Sequence, residues 1–101
     1  MKQDFVLSNE RVDDLQLNGL KIIQNPEWFC FGTDAVLLSD FAAKGIKKDA
    51  VILDMCSGNG IISLLLSAKT DAKKIYSLEV QKGVSDMAAR SVLMNGLEDK
   101  I

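Results

Sequence analysis

The sequence predicts an α/β protein: the N-terminal portion of a doubly wound parallel sheet, preceded by a β-hairpin and a helix. Three observations carry this. Two short apolar runs, "VILD" and "IYSLE", each end in a carboxylate. Each run passes through a short connection into a segment with helical spacing. Strands and helices that alternate with short connections favour right-handed parallel crossovers. Strands of such sheets are covered on both faces and read as nearly continuous apolar stretches.

Taken in order, "DLQLNGLKIIQ" reads as a hairpin. Leu15 and Leu17 alternate with polar residues, Asn18-Gly19 marks a two-residue turn, and residues 21–24 return. "NPEWFCFG" is a loop holding Trp28, Phe29 and Phe31. Packing under a helix is the commoner fate of such a cluster, and stacking on a base or cofactor ring is the alternative. Thr33 stands where a helix N-cap belongs, with Asp34 in the first turn, where negative charge is favoured. The helix runs over 35–43 with Val36, Leu37 and Phe41 at helical spacing, and Gly45 stops it. Lys44, Lys47 and Lys48 read as a solvated face. A strand over 51–53 ends at Asp54, and a helix over 60–68 follows. A second strand over 75–78 ends at Glu79. A third helix over 82–95 is amphipathic through Val84, Met87, Ala88, Val92 and Leu93 and closes at Gly96. "EDKI" then starts a third strand. The chain divides into a flank over 1–49 and the first half of the sheet domain over 50–101.

Composition narrows the chemistry. The chain has 101 residues, 48% hydrophobic and 26% charged, which suits one globular domain. Its net charge is -2, so no basic field covers it, and a nucleic-acid partner would meet its main phosphate-binding surface elsewhere or locally. There is no histidine, which removes the commonest general base and the His-containing zinc sites. Cys30 and Cys56 form no CxxC, and two thiols cannot build a structural metal site. Cys56 has no histidine to activate it as a nucleophile. The acidic, broken start is not a signal peptide, and no apolar run reaches the roughly 18 residues of a membrane span. The expectation is a reduced, cytoplasmic protein with no metal and no membrane partner.

The chemistry lies in "DMCSGNG". Ligands of open parallel sheets bind beyond the carboxyl ends of the strands, where this loop sits. Glycine lets backbone approach a ligand, and the helix that follows offers free N–H groups. Glu79 ends the next strand, 19 residues after Gly60 (79 − 60), where a carboxylate can hold both hydroxyls of a ribose. Loop and acid together describe an adenosine-containing ligand. A dinucleotide fingerprint needs GxGxxG, but here Gly58 and Gly60 are followed by Ser63. A carboxylate at Asp54 repels a pyrophosphate and favours a cationic ligand. S-adenosylmethionine carries a sulfonium, an ammonium and no phosphate, so the charge on Asp54 favours it over NAD.

"VILDMCSGNG" and "IYSLEV" resemble the first and second motifs of class I, Rossmann-like S-adenosylmethionine-dependent methyltransferases. More narrowly, the stretch from Glu10 through "FGTDAVLLSDF" resembles bacterial tRNA (adenine-N6)-methyltransferases of the small methyltransferase domain type. The resemblance implies that Asp54 holds the methionine end of the cofactor and that Cys56, Ser57, Gly58, Asn59 and Gly60 form the loop beneath it. It implies that Glu79 binds the ribose, that Val80 packs on the adenine with Gln81 beside it, and that Phe31, Thr33 and Asp34 line the pocket. It further implies tRNA as the partner. Two positions depart from the family pattern. Cys56 stands where many members have the first glycine, and Ser63 where close relatives have proline. The catalytic Asn-Pro-Pro-Tyr motif of the family does not occur in the sequence, so no catalytic residue is assigned. The chain therefore reads as a truncated piece of a larger domain, binding cofactor weakly, methylating nothing alone, and open to self-association through an exposed sheet edge. Other acceptors (ribosomal RNA or protein glutamine), a NAD-dependent oxidoreductase and a non-catalytic adenosine-binding module remain alternatives.

Overall fold

The computed structural model describes residues 5–101. The described residues form, in order, β1 (Arg11–Asp14), β2 (Lys21–Gln24), α1 (Thr33–Ala43), β3 (Val51–Met55), α2 (Ile61–Lys69), β4 (Lys74–Leu78) and α3 (Lys82–Met94). β3 and β4 pair in parallel through α2, with Val51 opposite Lys74 and Asp54 opposite Ser77. This is the predicted crossover unit. β1 and β2 form a separate antiparallel pair, with Asp14 opposite Lys21.

The hairpin turn is the predicted one. Asn18 and Gly19 both have positive φ, 53° and 72°, and the Leu20 N–H donates to the Leu17 carbonyl at 3.0 Å. This matches a type I′ turn, whose twist suits a hairpin. The first strand differs from the expectation: Leu15 and Leu17 lie in the loop, and the strand is residues 11–14. Gln16 takes φ 55°, and its N–H is held by the Asp14 carboxylate at 2.7 Å, which breaks the extended run before the turn.

β2 is buried along most of its length. Ile22, Ile23 and Gln24 are all closed off because α2 lies on one side and α3 on the other. α3 also caps the free edge of β2: Ser91 Oγ accepts the Ile23 N–H at 2.9 Å, and the Asn95 amide bonds both backbone groups of Lys21. An edge satisfied by side chains offers no template for another strand.

α2 is the centre of the fold. Ile61, Leu64 and Leu65 pack with Ile22, and Leu66 packs with Ala72 and Ile75. α1 departs from its predicted face. Leu37, Leu38 and Phe41 point outward, and Ala35, Val36, Ala42 and Ala43 meet the core. Its N-cap is Gly32, whose carbonyl accepts the Ala35 N–H, while Thr33 is the first helical residue. Buried Ser39 bonds the Val36 carbonyl and accepts from Lys69 Nζ, which links α1 to α2.

α3 ends as predicted at Gly96 (φ 69°). The Gly96 and Leu97 N–H groups return to the carbonyls of Leu93 and Val92, a Schellman closure. The "EDKI" segment is a turn and not a third strand, although the Lys100 carbonyl accepts the Ile75 N–H at 2.8 Å. The sheet is covered on one face only. Ile52 and Asp54 face α2, whereas Val51, Leu53, Met55, Tyr76 and Leu78 are exposed. The expectation that the parallel strands are covered on both faces is not met by β3 and β4 among the described residues.

Arg90 of α3 forks onto the Glu10 carboxylate at 2.5 and 2.8 Å and also reaches the Phe5 carbonyl, fastening the N-terminal segment. The Arg90 guanidinium holds Glu10 below the usual carboxylate range. Among the described residues, no helix is long and apolar enough to cross a membrane, and no group of three metal-ligating side chains gathers.

Candidate functional site

Beyond the carboxyl ends of β3 and β4, the loop from Cys56 to Gly60 crosses from strand to helix. Three of its five residues are left-handed: Cys56 (φ 57°), Gly58 (φ 58°) and Gly60 (φ 87°). Gly60 is the N-cap of α2. Cys56 adopts this conformation with a Cβ, which costs about 1–2 kcal/mol. That is the physical meaning of cysteine where many relatives of the predicted family carry glycine.

A cavity of about 550 Å³ opens between this loop, the start of α3 and the aromatic loop. Gly58 and Asn59 of the glycine loop, Glu79 and Gln81 at the start of α3, and Trp28 and Phe29 of the aromatic loop all line it. The volume lies in the range of small-molecule sites. Among the described residues, Glu79 is the only charged one that lines it. Its carboxylate accepts the Gly58 N–H at 2.9 Å and the Gln81 N–H at 3.1 Å, which fixes the loop against the start of α3.

The Ser57, Gly58, Gly60 and Ile61 amides are engaged within the protein. The Ser57 N–H donates to the Leu78 carbonyl, Gly60 to the Ser57 carbonyl, and Ile61 to Asn59 Oδ1. A pyrophosphate cradle needs such amides free to converge on the ligand. Here they are spent on the loop itself, and a carboxylate lines the cavity. A pyrophosphate therefore finds few free donors here and meets a carboxylate.

Asp54 lies elsewhere than the sequence reading implied. It belongs to β3, and strand alternation turns its side chain toward α2 with Ile52. Ser63 Oγ donates to Asp54 Oδ2 at 2.7 Å, and Ser63 also bonds Ser77. Burial pushes the Asp54 pKa up, opposed by hydrogen bonds from the Ser63 hydroxyl and backbone. Asp54 does not line the cavity, so the argument against pyrophosphate rests on Glu79 and the occupied amides. Ser63, one of the two departures from the family pattern, is buried and anchors the carboxylate.

Of the other predicted residues, Gly58, Asn59, Glu79 and Gln81 come together at the cavity. Gly60 closes the loop, and Ser57 is buried within it. Val80 is 96% exposed and stands outside the cavity. Phe31 packs on the core around Ile22, and neither Thr33 nor Asp34 reaches the lining. Sequence reasoning weighted Trp28 and Phe29 toward packing, whereas they line the cavity. Trp28 rests on α3 at Gly83, where an added Cβ would come within 3.1 Å of the indole. The sequence signal was Gly83 in the first turn of a helix. Gln24 was also missed. Its side chain links the hairpin, the aromatic loop and Asn59.

The fold and site thus define a Rossmann-like α/β unit with a small-molecule-sized cavity beyond its strand ends. No protein-family model matches the chain. Ribosomal protein L11 methyltransferase of Carboxydothermus hydrogenoformans is 32% identical over 80% of this chain, which spans 28% of that protein. Protein arginine N-methyltransferase 2 of Dictyostelium discoideum is 45% identical over 56% of the chain and 11% of its own length. The tRNA1(Val) (adenine(37)-N6)-methyltransferase of Christiangramia forsetii is 35% identical over 59% of the chain and 25% of its own length. The chain therefore spans less than a third of each of these relatives. Among solved structures, Methanocaldococcus jannaschii Trm5 in complex with adenosine superposes with a TM-score of 0.73, covering 92% of this chain and 28% of that one at 22% identity. Pyrococcus horikoshii TYW2 in complex with MeSAdo gives 0.74 over 93% and 34% at 23% identity. By sequence the chain is similar to methyltransferases, over 80% of its length in the first of these relatives, and its fold is that of the Rossmann-like methyltransferases Trm5 and TYW2.

Proposed function

We propose that this chain is the cofactor-binding portion of an S-adenosylmethionine-dependent methyltransferase whose acceptor is an adenine amine in tRNA. The observation that carries the cofactor reading is Glu79: one carboxylate, alone among the lining residues in its charge, beside a loop whose amides are already engaged. The donor set fits a sulfonium nucleoside. Glu79 would take the ribose hydroxyls, Gly58 and Asn59 would pass under the sugar, and Trp28 would supply an apolar wall. When bound, the cofactor supplies an electrophilic methyl group on sulfur. The residues of this chain bind and orient it, and such positioning is the main protein contribution to a displacement of this kind.

The acceptor reading draws on the "FGTDAVLL" segment and on Phe29, whose ring is 85% exposed at the rim of the cavity, where an unstacked base could lie against it. The relatives with known names act on proteins as well as tRNA, so a protein amine is the competing acceptor.

Titration with S-adenosylhomocysteine against NADH, followed through Trp28 fluorescence, tests the cofactor. Saturable binding of the first and none of the second is expected, and tighter NADH binding would replace the reading with an oxidoreductase. Methyl transfer from labelled cofactor by the polypeptide carrying this sequence tests the acceptor. N6-methyladenosine in digested tRNA is expected. Label found instead in ribosomal protein would move the acceptor to protein.

A further inference from the structure

Gln24 is 2% exposed and belongs to no part of the cavity lining, yet every polar atom of its side chain is committed. Its Oε1 accepts from Asn59 Nδ2 at 2.8 Å and from the Phe31 N–H at 2.9 Å, and its Nε2 donates to the Asp13 carboxylate. The polarity of this relay is fixed from both ends. The Ile61 N–H can only donate, so Asn59 must turn Oδ1 toward it and Nδ2 toward Gln24. The Asp13 carboxylate accepts, so Gln24 must turn its amide nitrogen that way. Neither amide can flip without leaving two buried groups unpaired, which costs roughly 1–3 kcal/mol for each.

The relay joins the two loops that line the cavity. Asn59 lies between Gly58 and Gly60, both left-handed, where the backbone has little rigidity of its own. Phe31 closes the aromatic loop that carries Trp28 and Phe29. We propose that Gln24 is a positioning residue: by holding Asn59 and the Phe31 backbone on one oxygen, it sets the spacing between the glycine loop and the aromatic wall, and so the cavity's affinity for its nucleoside ligand. The inference rests on the proposed cofactor reading for its ligand but on the relay for its geometry.

The test is calorimetric titration of the chain with S-adenosylhomocysteine, at a temperature where each variant is fully folded by circular dichroism. A residue that only stabilises the fold moves the melting temperature and leaves this affinity unchanged. Gln24→Leu should weaken binding about tenfold, the effect of roughly one buried hydrogen bond. Gln24→Glu places two carboxylates together and should weaken it further. The pair D13N/Q24E restores the relay with donor and acceptor exchanged, and should return affinity to within about threefold of the parent. A folded Gln24→Leu that binds within about twofold of the parent overturns the proposal. If that variant does not fold, failure of D13N/Q24E to bind tighter than Gln24→Glu overturns it instead. If the parent itself does not bind the probe, the cofactor reading fails and the relay is read without it. Gln24→Leu must then shift the Asn59 side-chain amide resonance and the Trp28 emission maximum, and unchanged signals overturn the proposal.

Discussion

The carboxyl ends of β3 and β4 lie side by side, and each carries an acid: Asp54 on the first, Glu79 just past the second. Asp54 lies inside its strand, so the alternation of β-structure dictates its direction, toward α2 and Ser63. Glu79 lies one residue beyond Leu78, outside the pairing, and is free to turn over the strand ends onto Gly58 and Gln81. One acid is desolvated and held by Ser63, and the other faces a cavity and holds backbone amides. A one-residue difference in where a strand ends separates an internal anchor from a cavity-facing group.

The largest expected effect breaks the cavity-facing side. Glu79→Ala removes the acceptor for two amides and the proposed ribose partner, and should weaken S-adenosylhomocysteine binding by about a hundredfold, from two charge-assisted hydrogen bonds. Calorimetry checks this, and a loss below about threefold would make the two acids equivalent. Asp54→Asn should leave the same affinity within about threefold, because the carboxylate does not line the cavity.

Asp54 should instead appear in the pH dependence of stability. With its pKa raised in the folded state, the native protein binds more protons than the unfolded chain, so stability falls as pH rises from the ordinary aspartate range through the raised value. Asp54→Asn should abolish that fall in denaturant melts taken between about pH 3.5 and pH 8. Glu10 has the opposite sign. Arg90 lowers its pKa, so its contribution is complete above the ordinary glutamate range and is lost as pH falls through the lowered value. Glu10→Gln should remove that acid-side loss in the same melts.

The smallest effects lie in the loop between the two acids. Cys56→Gly should stabilise the chain by about 0.5–1 kcal/mol, since glycine relieves the left-handed strain but gains unfolded-state entropy. Gly58→Ala should cost about 1 kcal/mol although an added Cβ meets nothing within 4 Å, because only the backbone conformation resists it. Equilibrium denaturation measures both.

The parts legible in the sequence are those set by short-range rules. Asn18-Gly19 specified its turn, Gly96 its helix stop, and the apolar runs their parallel pairing. Glu79 was found because the strand-end position is itself the signal. The direction of the Asp54 side chain was not legible because which face a strand residue takes depends on where the helix docks, and no local pattern states that. Leu37 and Phe41 likewise follow helical spacing but lie off the face that α2 covers. Phe31 and Trp28 are equivalent in sequence, and only the folded loop sends one to the core and the other to the cavity. Gln24 was not visible because its partners are 11 and 35 residues away.

The central claim is that Glu79 and its loop, not Asp54, meet the methyl donor. The most direct measurement is a nitrogen-proton correlation titration of the chain with S-adenosylhomocysteine. The Gly58 and Gln81 amides and the Trp28 indole should move together and saturate, while the Ser63 amide beside Asp54 stays in place. Saturating shifts at Ser63 with Gly58 and Gln81 unmoved would contradict the account.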